Sequence, residues 1–132
     1  MTTLRFRVIE TPLSASLISQ LRKLTSLSIS EIRYRATAGQ PVMELSAFSN
    51  TWQQDRAKLV DVADRIESDE LPLVVTEVYE SGTESPVSNE LLRNLIAQFR
   101  HIELETQRDT MLELGEIDDP AQFQPYDDDW TQ

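Results

Sequence analysis

Between Leu4 and Tyr79 the spacing of apolar residues keeps switching between a period of two and a period near 3.6, in runs that are each long enough for only one strand or helix. Leu4, Phe6 and Val8 alternate with Arg5, Arg7 and Ile9, the pattern of a strand with one face buried, and Thr11-Pro12 ends it. From Ser14 to Leu24 the positions Leu17, Ile18, Leu21 and Leu24 recur at helical spacing, with Arg22 and Lys23 directed outward near the C-terminus. Ser28-Ile29-Ser30-Glu31 has the spacing of a capping box and opens a second helix through Ile32 and Ala36, which Gly39 and Pro41 stop. Val42 to Phe48 reads as a second strand, with Met43, Leu45 and Ala47 on one side and Glu44 and Ser46 on the other. Thr51-Trp52-Gln53-Gln54 repeats the capping-box spacing before a third helix carrying Leu59, Val62, Ala63 and Ile66, which ends near Asp69-Glu70. Leu73 to Tyr79, dense in β-branched residues, makes a third strand.

After this unit the composition changes. Residues 81–87 gather turn formers and read as a linker. A long helix follows over 88–115, with Leu91, Leu92, Leu95, Ile96, Phe99 and Ile102 on one side and Gly115 as its cap. That stripe must lie against something: the body of its own domain or, through Leu91, Leu95, Phe99 and Ile102, its counterpart in a homodimer. Residues 116–132 mix aspartates with Phe123, Tyr126 and Trp130 and read as an acidic tail, extended or disordered until bound. The organisation expected is therefore an α/β (α+β) unit over 1–80, the linker, the long helix and the tail.

Charge is unevenly placed in a chain of net charge −11. Residues 1–80 hold nine Lys/Arg against eleven Asp/Glu, and residues 81–132 hold three against twelve. Such a field repels nucleic acid and anionic lipid, and it accelerates encounter with a basic protein. The absence of cysteine removes disulfides and thiolate sites and suits a reducing cytoplasm. No signal-like apolar run opens the sequence and nothing approaches a membrane span, so a cytoplasmic protein without a membrane partner is expected.

The stretch Leu17-Ile18-Ser19-Gln20-Leu21-Arg22-Lys23-Leu24-Thr25-Ser26-Leu27-Ser28-Ile29-Ser30-Glu31-Ile32-Arg33 resembles the first helix, tight turn and second helix of the C-terminal domain of the bacterial ribosomal stalk protein. The order strand, helix, helix, strand, helix, strand resembles that domain as well, over Leu4 to Glu80. The resemblance implies a two-layer β-α-α-β-α-β fold, here followed by the long helix and acidic tail, of the kind shared with the Clp protease adaptor. It also implies a docking face, because in the stalk family this helical hairpin meets translation GTPases through apolar and basic side chains. The matching positions are Ile18, Arg22, Ile29 and Arg33; Ser19 stands where the family usually has lysine, and Ser26 and Ser28 replace two glycines.

Catalytic apparatus is scarce. His101 is the single histidine, and without cysteine or a second histidine it makes a metal or triad site improbable. Asp127-Asp128-Asp129 lacks the glycine and the ligand spacing of a calcium loop, the three glycines are isolated, and Glu103 and Glu105 lie two apart on a helix, facing different ways. No enzyme, metal or cofactor is expected. The leading expectation is an acidic immunity or inhibitor-type protein that binds a basic partner such as a toxin. Glu113, Glu116, Asp118, Asp119, Asp127, Asp128 and Asp129 would supply attraction, and Tyr126 and Trp130 the desolvated contact. The alternatives are a ribosome- or GTPase-associated factor docking through Ile18, Arg22, Ile29 and Arg33, and an oligomeric structural protein.

Overall fold

The computed structural model describes residues 2–9 and 12–132, so Thr11, half of the stop expected after the first strand, lies outside the described residues. The chain is α+β. Its elements run β1 (Thr3–Val8), α1 (Ala15–Thr25), α2 (Ile29–Ala38), β2 (Met43–Ser46), α3 (Trp52–Glu67), β3 (Leu73–Val78), β4 (Glu84–Val87) and α4 (Asn89–Glu113), with a 3-10 turn at Pro120–Gln122.

Three helices start where a serine hydroxyl takes up an orphan backbone N–H: Ser14 accepts from Leu17, Ser28 from Glu31 and Ser88 from Leu91. Only half of the box expected at Ser28 forms, because the Glu31 carboxylate turns to Arg35, 2.8 Å away. The box expected at Thr51 does not form at all: its hydroxyl donates to Asp55 at 2.6 Å and caps nothing. Ser26 ends α1 in the left-handed region at φ +60°, taking up unaided the conformation that glycine adopts most readily.

All strand pairs are antiparallel, in the order β2-β1-β3-β4. Residues 81–87, expected as a linker, contain β4, whose Thr76↔Pro86 and Val75↔Val87 pairs bind it to β3. Pro86 hid this strand from the sequence; an edge strand tolerates it because one of its sides needs no donor. Register sets the two faces. Phe6 pairs with Met43 and Val75, and Leu4 with Leu45, so these side chains share the face that the helices cover. Phe6, Ile32, Leu59 and Val62 are completely buried there, with Leu92, Ile96 and Phe99 of α4 in the same core. The other face carries Arg5, Arg7, Thr76 and Glu84 and stays in contact with solvent; Arg7 grips Glu84 through two bonds of 2.9 and 3.0 Å.

The stripe on α4 is therefore largely consumed within the chain. Phe99 is 3 % exposed and Leu95 packs against the core, while Leu91 remains exposed and Ile102 half-buried. Helix α4 lies beside α3, and Arg93 binds Asp64 and Glu67 of that helix. No helix among the described residues is long and apolar enough to cross a membrane.

Candidate functional site

Two places gather chemistry. The first is a groove of about 550 Å3 along the α1–α2 hairpin, lined by Leu13, Ile18, Arg22, Lys23, Leu27, Ile29 and Arg33 among others. All four residues matched to the stalk family's docking face line it. Its floor is apolar: Ile18 is buried, Leu13 and Leu27 are half-buried, and Ile29 is 40 % exposed. Its rim is cationic. Eight of the chain's twelve Lys/Arg take part in ion pairs among the described residues. Of the four that do not, Arg22, Lys23 and Arg33 line this groove. Helical phase explains the convergence: Ile18 and Arg22 are four apart on α1, Ile29 and Arg33 four apart on α2, and the short turn brings the two stripes together.

The second place is a cradle between α3 and α4, and the C-terminal segment fills it. Four donors meet the Glu103 carboxylate: Trp52 Nε1 at 2.8 Å, Arg56 Nη1 at 2.7 Å, Arg100 Nη1 at 3.2 Å and Trp130 Nε1 at 2.6 Å. Asp127 closes the other side. One of its oxygens accepts from Arg56 at 2.8 Å, the other from Arg100 at 2.9 Å and Gln107 at 3.2 Å. Trp130 stands edge-on to Trp52 with ring centroids 5.6 Å apart, and the Arg56 guanidinium lies 5.5 Å from the Trp130 ring centroid. Trp52 also meets Phe48 and Phe99, at 5.3 and 5.5 Å.

Burial would push both carboxyls up, but the donors around them more than offset it. Glu103 is held below the ordinary carboxylate range by Trp130, Arg56, Trp52 and Arg100, and Asp127 is lowered from 3.8 to about 2 by Arg100, Arg56 and Gln107. A carboxyl whose folded-state pKa is depressed stabilises the fold above its unfolded value and loses that contribution as pH falls through the folded one. The Asp127 clasp is thus complete above about pH 4 and lost toward pH 2, at a cost of about 1–2 kcal/mol after allowing for solvent screening. Acid titration followed by indole fluorescence is expected to show this step, and Asp127→Asn to remove it.

The residues expected to capture a basic partner divide into three kinds. Asp127 and Trp130 point into their own domain, so the tail is not a free arm: two guanidiniums and an indole hold it to the body. Asp119 and Asp129 serve local turns, accepting from Ala121 and from Thr131, while Glu116 faces the Tyr126 hydroxyl at 3.5 Å. Glu113, Asp118 and Asp128 are exposed, with no side-chain hydrogen bond or ion pair among the described residues. In the sequence Glu103 figures only as a poor carboxylate pair with Glu105 and as a neighbour of Arg100; its role as the shared acceptor for Trp52, Arg56 and Trp130 has no local signal. Glu105 faces outward to His101 at 2.9 Å, away from Glu103.

The chain matches no known family model, and no curated protein or solved structure matches it significantly.

Proposed function

We propose that this protein is a non-catalytic protein-binding module that receives an acidic, apolar segment of a partner protein in the α1–α2 groove. One observation carries the reading: among the described residues, three of the four cations outside ion pairs surround one apolar floor, in a chain whose net charge is −11. Cations kept free of the many available carboxylates retain their charge for a partner, and an apolar floor beneath them supplies the desolvated contact. The resemblance of the hairpin to the ribosomal stalk domain supports the concrete form, a ribosome- or translation-GTPase-associated factor using Ile18, Arg22, Ile29 and Arg33. A cytoplasmic setting accords with this form.

The test is binding of the full chain to a purified elongation-type translation GTPase by calorimetry. Arg22→Glu together with Arg33→Glu is expected to weaken association by about thirtyfold or more and to flatten its salt dependence. Wild-type protein that shows no association at about 100 μM, a concentration at which even weak docking registers, sinks this reading.

The acidity of residues 81–132 favours a second reading, an acidic inhibitor of a basic protein such as a toxin. Glu113, Asp118 and Asp128, with Glu116 at their side, would carry it in place of Asp127 and Trp130, which the body already holds. Neutralising those four acids would abolish such binding and leave the groove's partner unaffected.

A further inference from the structure

We propose that the α3–α4 cradle is a peptide-binding site for a partner segment carrying a carboxylate and, three residues on, a tryptophan or comparable aryl side chain, and that the chain's own Asp127–Trp130 occupies it in cis. This site is separate from the α1–α2 groove. The cradle reads main chain as well as side chains: Arg100 donates to the Asp127 carbonyl at 3.0 Å, and the Gln107 amide accepts from the Tyr126 N–H at 3.1 Å while donating to the Asp127 carboxylate. A clamp on consecutive peptide units suits an extended peptide and not an isolated side chain. Once the tail leaves, Arg56 and Arg100 face Glu103 alone, which leaves one net positive charge beside the edge of Trp52. That remainder is complementary to a carboxylate and an aryl ring.

The tail is held at its end and little elsewhere. Most of residues 113–126 is exposed, and the last few residues rest on Trp52, Arg56, Arg100, Glu103 and Gln107 at the outside of the core, so they can lift while that core stays packed. Beside Asp127 a further cavity of about 540 Å3 stays unfilled, with Phe48, Trp52 and Ile102 as its apolar wall. Phe48 holds this wall from a left-handed backbone at φ +61° and is 41 % exposed. Its ring packs against Trp52 and Phe99 while staying partly open to solvent, and a bulky residue kept in that backbone conformation is costly; such strain gathers where a ligand uses it.

A fluorescein-labelled peptide of residues 123–132 tests the proposal against the full chain. Asp127→Asn with Trp130→Ala removes the cis competitor, so the peptide is expected to bind that variant at least about tenfold more tightly than wild type. Placing either substitution in the peptide instead is expected to weaken binding about tenfold. Equal binding to both chains, or none to a folded variant at about 1 mM peptide, overturns the proposal. Should the variant not fold, hydrogen exchange on wild type decides: the Trp130 indole N–H is expected to exchange at least about 100-fold faster than the amides of Ile96–Arg100, and equal rates overturn it. A dimer formed by exchange of tails would replace the foreign segment with a second copy and likewise overturn it.

Discussion

Replacing Glu103 by alanine is expected to lower the unfolding free energy by about 3–4 kcal/mol. The side chain is 10 % exposed and is the common acceptor for two guanidiniums and two indoles. Without it, Arg56 and Arg100 share Asp127, itself 30 % exposed, and both indole N–H groups lose their partner. Removing one member of a buried ionic group costs more than the group as a whole contributes, because the remaining charges stay desolvated. Glu103→Gln separates the parts of this effect: it keeps the shape and one acceptor oxygen, gives up the charge, and is expected to cost about 2 kcal/mol. Chemical denaturation of the two variants measures both values. A loss below about 1 kcal/mol for the alanine variant would mean that water, and not the fold, satisfies these donors.

The difference between what was legible and what was not follows from sequence distance. Helices α1, α2 and α3 and strands β1, β2 and β3 announce themselves because their signals are periodic and local: Leu4 and Phe6, or Leu59, Val62, Ala63 and Ile66, mark a buried face within a few residues. The groove's residues come by another route: Ile18, Arg22, Ile29 and Arg33 are picked out by the hairpin's resemblance to the stalk domain, and the one-turn spacing of each pair explains why the fold brings them together. Strand β4 was not legible, because Pro86 and its serine and glycine neighbours outweigh four residues of edge pairing. The cradle could not be read at all. Glu103 finds Trp52, Arg56 and Trp130 at separations of 51, 47 and 27 residues, and no local pattern records pairings of that length. An acidic stretch after the last basic residue therefore reads as a solvated arm until Arg56 and Arg100 are seen to reach across to Asp127.

Trp52→Ala is expected to cost about 3–5 kcal/mol, with a consequence beyond stability. Trp52 is 7 % exposed and touches Phe48, Phe99 and Trp130 at once, so its loss opens a cavity under the start of α3 and removes the surface on which the tail rests. Truncating Phe6, which is completely buried in the central strand, carries a similar energetic cost but leaves the cradle intact. The two variants differ in one observable. The chain has two tryptophans, so Trp52→Ala leaves Trp130 as the sole indole emitter, freed from its edge-on contact and expected to emit as a solvated side chain before the protein unfolds. In Phe6→Ala the emission is expected to stay native until the global transition. Trp52→Phe restores an aromatic edge without the N–H to Glu103 and should recover about half of the lost stability, with Trp130 docked again. Native emission from Trp130 in the alanine variant would show that Arg56, Arg100 and Gln107 hold the tail without the aromatic contact.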